Sequence, residues 1–144
     1  MIRWGMKRAL PVALACLVCA LGCQSNSDST QLPTTPSPGT TETFSGTVNV
    51  GQDAVNPFNI MLSGGALAIT LTAVVPPSTV VGVAVGTWDG TTCASVSGGV
   101  VVTTAGTSPQ LSGGQFDAGR YCVRVFDPGN LSASVNYTVL VNHY

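Results

Sequence analysis

The sequence is short of charge. Of its 144 residues only 8% are charged, and the basic ones number 5. Phosphate recognition needs clustered Lys and Arg, so the chain gives no support to nucleic acid as a partner. It holds a single histidine, His143, which leaves little for imidazole-based catalysis or a zinc site. No apolar run reaches the roughly 20 residues that carry a helix across a bilayer. Glycine is plentiful, at 17, but has no three-residue period, and charged helix formers are scarce, which excludes collagen and coiled coils. What remains is a chain that is 44% hydrophobic with a net charge of -1, too apolar to be disordered throughout. Its length suits one ordinary domain with additional segments.

The first 22 residues differ from the rest. Arg3, Lys7 and Arg8 form a basic start, and an apolar run follows from Ala9 to Gly22. A basic head, a short apolar middle and small residues before a cut describe an export signal. Ala20-Leu21-Gly22-Cys23 closes it, with Cys23 offering a thiol for acylation. The segment resembles a bacterial lipoprotein signal, in which this cysteine becomes the first residue of the mature chain and carries acyl chains. Leu is commoner than Ala three places before the cysteine, so an ordinary secretory cut before Cys23 is the competing reading. Gln24, rather than Asp, follows the cysteine. The resemblance then implies an outer-membrane destination, with the membrane itself as a partner through the lipid.

Cys16 and Cys19 fall inside the leader, which leaves Cys93 and Cys122 in the body. Export implies an oxidising compartment, and a Cys93–Cys122 disulfide is the natural pairing. Two free or metal-binding thiols are the alternative, although no histidine or second cysteine pair stands nearby to complete a site. No metal and no cofactor is expected. After Cys23 the chain has no lysine, and Arg120 and Arg124 face six carboxylates, a net charge of −4.

Residues 23–42 read as a Ser/Thr/Pro-rich tether, with Pro33, Pro36 and Pro38 among threonines. From Thr43 to Tyr144 the pattern is two-residue alternation between turn signals, which predicts strands. Phe44, Gly46, Val48 and Val50 share a face, as do Phe58, Ile60 and Leu62. Leu67, Ile69, Leu71, Ala73 and Val75 make the clearest inward row, ended by Pro76-Pro77. Val81, Val83 and Val85 continue it, then Tyr121, Val123 and Val125, and finally Val135, Tyr137, Val139 and Val141. Asp89-Gly90 and Asp127-Pro128-Gly129 are strong turn signals. Seven to nine short strands over residues 43–144 predict an all-β fold, an antiparallel β-sandwich, with a small closed barrel as the alternative.

Three stretches carry a family resemblance: Phe44-Ser45-Gly46, then Gly65-Ala66-Leu67-Ala68-Ile69-Thr70-Leu71, and Ala118-Gly119-Arg120-Tyr121-Cys122-Val123-Arg124-Val125. Together they resemble the bacterial pre-peptidase C-terminal domain over roughly Thr43–Asn142. Members are non-catalytic, jelly-roll-like β-sandwich appendages of exported enzymes, proposed to serve secretion, stability or substrate binding, and the resemblance implies a jelly-roll-like sandwich here. The chain departs from the family in lacking a preceding peptidase domain. It also lacks the acidic strand common after the central turn, where Val80-Val81-Gly82-Val83-Ala84-Val85 stands instead. No ligand residues carry over.

Catalytic constellations are thin. His143 reads as a frayed terminal residue, and Asp89, Asp117 and Asp127 read as turn residues bonded to local backbone. The sequons at Asn130 and Asn136 read as chance matches. Trp88 is either a core cap or an exposed aromatic for stacking on sugars. Arg120 and Arg124, four apart on one strand, share a face away from Tyr121 and Val123, as solvated edge guards or partner contacts. The expectation is a non-catalytic, lipid-anchored envelope lipoprotein, an accessory module for an unknown envelope protein or, alternatively, a carbohydrate-binding module. Trp88, Arg120 and Arg124 are the candidate contacts.

Overall fold

Valine, isoleucine and threonine lose side-chain freedom in a helix but sit well on a pleated strand. The computed structural model describes residues 39–144, and within them it contains strands and no helix. The eight strands are β1 (Thr40–Val48), β2 (Asp53–Ile60), β3 (Gly65–Val75), β4 (Val81–Trp88), β5 (Cys93–Thr103), β6 (Leu111–Phe116), β7 (Gly119–Phe126) and β8 (Val135–His143). The leader, Cys23 and all but the last residues of the predicted tether lie outside the described residues.

Two separate four-stranded antiparallel sheets form a sandwich, not a closed barrel. Sheet A has the order β1-β8-β3-β6 and sheet B the order β2-β7-β4-β5. This is a jelly roll: every connection crosses from one sheet to the other except the β4–β5 hairpin. The proximal end, where Gly39 leads into β1, gathers the ends of β2, β4, β6 and β8 and the starts of β3, β5 and β7. The distal end holds the β1–β2 turn and the loops after β3, β5 and β7.

The core lies between the inner faces. Ile69, Leu71, Val139 and Val141 of sheet A meet Val83, Val123 and Val125 of sheet B, all fully buried. Each such side chain contributes roughly 1.5–3 kcal/mol by leaving water. Pro57 lies in β2, an edge strand where a missing N–H costs no inner ladder bond.

The alternation misleads at several places. β3 carries a bulge between Leu71 and Ala73, where the partners on β8 are the adjacent Val139 and Thr138. One extra residue flips the phase, so Val74 is buried while Ala73 and Val75 point to solvent. Val50 and Leu62 lie past the ends of β1 and β2 and are exposed, because the inward row stops where pairing stops. β1 starts at Thr40, three residues before the alternation becomes readable, since Thr40, Thr41 and Glu42 pair with β8. Gly113-Gly114 sits within β6, and Ser97-Gly98-Gly99 within β5, where pairing with β4 shifts register between Ala84 and Gly86.

Candidate interaction surface

Strand parity sends Cys122, Arg124 and Phe126 of β7 to the outer face of sheet B, beside Gly82, Ala84, Gly86 and Trp88 of β4. Two glycines shape this face. A Cβ on Gly82 would collide with the Phe126 ring, and one on Gly86 would collide with the Ala94 carbonyl. Both neighbours therefore close over β4, which is buried on its two sides. Cys93 and Cys122, on the strands flanking β4, come to a Cα–Cα distance of 5.9 Å and form the expected disulfide. At a sequence separation of 29, the chain-entropy gain is about 3–4 kcal/mol.

The three candidate contacts on this face separate into two environments. Arg124 is held locally, 3.6 Å from the Asp53 carboxylate and stacked 5.0 Å above the Phe126 ring. The ion pair is part-exposed and contributes at most about 1 kcal/mol. Arg120 is exposed and has no ionic partner among the described residues. Its guanidinium reaches the β4–β5 turn, with Nη1 3.9 Å from where a Cβ on Gly90 would stand. Trp88 is half-buried, opposite Cys93, and is not one of the side chains packed on the core. Trp88 and Arg120 thus share the proximal end, while Arg124 lies four residues further along β7, roughly 13 Å away.

The aspartates hold turns. Asp89 Oδ1 accepts hydrogen bonds from Thr91 N (2.8 Å), Thr91 Oγ1 (2.9 Å) and Thr92 N (2.7 Å). The Thr92 and then the Thr91 backbone N–H groups hold its carboxyl below the usual value. Asp127 Oδ2 accepts from Gly51 N (2.8 Å), and its Oδ1 from Gly129, Asn130 and Leu131 N (2.7–3.1 Å). Its carboxyl is likewise lowered, first by the Gly51 bond. Asp127 stands at the distal end of β7 and Asp117 just before its proximal start, so these carboxylates do not converge. Among the described residues no three His, Cys, Asp or Glu side chains form a metal-binding group.

His143 corrects its sequence reading. It is not frayed: it is 3% exposed, with Nε2 2.9 Å from Glu42 Oε1 and its ring 5.3 Å from that of Phe58. Nδ1 is buried without a partner. The signal was present in the sequence, since His143 continues the inward row Val135, Tyr137, Val139, Val141, and Glu42 continues Phe44, Gly46 and Val48. A groove of about 360 Å³ bordered by Gly39, Ala68, Ser112, His143 and Tyr144 contains none of the aspartates. A second cleft, of about 140 Å³, opens between the β5 and β6 edges over Leu67, Val85 and Phe116. Glycines and two serines, Ser97 and Ser112, share its lining with the apolar side chains, and it offers no charged group.

No family model matches the chain, and no curated protein matches it.

Proposed function

We propose that this protein is an exported, lipid-anchored and non-catalytic interaction module of the cell envelope, tethered through Cys23. The observation that carries the reading is the pairing of Ala20-Leu21-Gly22-Cys23 with a body whose two remaining cysteines form a disulfide. A disulfide suits an oxidising compartment, and the leader supplies the route to one. The jelly-roll order, together with the resemblance over Thr43–Asn142, supports a module of the pre-peptidase C-terminal kind. Metabolic labelling with a fatty acid tests the anchor. The intact chain is expected to take up label and the Cys23→Ala chain to take up none; label retained in Cys23→Ala refutes the attachment.

A second reading, binding of envelope or environmental glycans, is favoured by one observation. Trp88 and Arg120 share an open end of sheet B, an aromatic face beside a hydrogen-bond donor. Glycan-array binding that is lost in Trp88→Ala would place this reading above the first. Silence across broad polysaccharides removes it.

A further inference from the structure

We infer that the proximal end of the sandwich docks on the surface of the lipid bilayer to which the chain is anchored. This deepens the proposed function and rests on its lipid-anchor reading. Met61 and Leu62, adjacent in the β2–β3 turn, are 76% and 51% exposed. The turn does not need them: its bonds run from Gly64 N to Phe116 O (2.9 Å) and from Ala118 N to Ser63 Oγ (2.8 Å). Turn tips ordinarily carry Gly, Pro, Asn, Asp or Ser. Two large apolar side chains there are held in water by the fold and would be buried by hydrocarbon.

Aromatic groups flank them. Trp88 closes β4 at this end of sheet B, and Tyr144, 38% exposed, lies against Gly39 and Gly65 at the same end of sheet A. Trp and Tyr favour the headgroup level, where an apolar ring body and a polar tip are both accommodated. The chain also enters here. Gly39 begins the described residues at this end, and Cys23 stands 16 residues before it, a covalent reach of at most about 56 Å. An anchor this close raises the local concentration of membrane, so a contact too weak to recruit a free protein suffices.

Charge does not drive the contact: Asp89, Asp117 and Glu42 stand at this end against Arg120, which leaves it weakly acidic. The docking is therefore apolar and tolerant of salt. The distal end differs: its exposed Val50 lies in the β1–β2 turn, Val75 and Val80 border the β3–β4 loop, and it exposes neither tryptophan nor tyrosine.

The test uses the protein as the cell processes it, expressed with Trp4→Phe so that Trp88 is the sole tryptophan whether or not the leader is removed. It is reconstituted in phosphatidylethanolamine–phosphatidylglycerol vesicles with and without brominated acyl chains. Quenching of Trp88 by the brominated lipid, undiminished by high salt, is expected. Met61→Ser with Leu62→Ser removes two side chains each giving a factor of about ten in partition, so quenching should be lost. Val75→Ser with Val80→Ser should leave it intact. Equal emission in both vesicle types overturns the docking surface, as does quenching that survives the Met61/Leu62 change. A response of Trp88 to soluble polysaccharide in place of lipid overturns it in favour of the glycan reading. Intact mass separates the two levels: an acylated Cys23 with Trp88 unquenched defeats the docking surface alone, and an unmodified Cys23 with Trp88 quenched defeats the anchor alone.

Discussion

At the residue scale, Asp127 accepts more hydrogen bonds than any other charged side chain among the described residues. Its two oxygens accept four backbone N–H bonds, tying the β1–β2 turn to the loop after β7. Those bonds favour the ionised form and lower its pKa from the usual 3.8. A lowered folded-state value means the stabilisation is complete above the unfolded value and is lost as pH falls through the folded one. Thermal melts should therefore show the midpoint falling below about pH 4. Asp127→Asn should melt lower than the parent at neutral pH and show a shallower acid decline. Parallel acid limbs in the two proteins would show that another group controls the decline. The Asp-Pro-Gly-Asn signal announced this turn in the sequence, but not its second oxygen. The bond to Gly51 spans 76 residues, and local turn chemistry carries no trace of so distant a partner.

At the element scale, β3 shows both how far alternation reads and where it stops. Leu67, Ile69 and Leu71 are inward as their spacing predicts, and the same rule assigns Ala73 and Val75 wrongly beyond the bulge. A bulge is set by how β8 pairs from the other end of the chain, so a single strand's pattern cannot reveal it. The site shows the same divide. That Arg120 and Arg124 face outward follows from parity, whereas Arg124's capture by Asp53 and Phe126 depends on β2 lying beside β7. His143 was legible by parity and was misread from its position near the end of the sequence. The bulge has a direct consequence. Val74→Ala should cost about 1–3 kcal/mol in denaturant unfolding, as a buried methyl loss does. Val75→Ala, at a position 56% exposed, should stay within about 0.5 kcal/mol. The opposite ranking would mean that β3 runs without a bulge.

At the scale of the whole molecule, chain order and sheet order are interleaved. β8 is the last strand in sequence, yet it lies between β1 and β3; β7, next to last, lies between β2 and β4. Neither sheet closes until the C-terminal strands arrive, and Thr40 finds its partner His143 across nearly the whole domain. Contacts this distant in sequence carry a high loop-closure cost and make folding a late, concerted event. Cys122 sits on β7, so the covalent link also waits for that strand. Such an order is compatible with the proposed export, in which the chain would cross a membrane extended and fold on the far side. It also predicts how stability is distributed. A chain ending after Ser134 loses β8, and with it every ladder bond of β1 and the bridge from β1 to β3. That chain should show no cooperative thermal transition by circular dichroism. A chain starting at Gly39, with all eight strands, should unfold in one. A sigmoidal melt from the shortened chain would mean that sheet B and β3–β6 hold together without the strand at the centre of sheet A. In that case the sandwich would be two separable halves instead of one cooperative body.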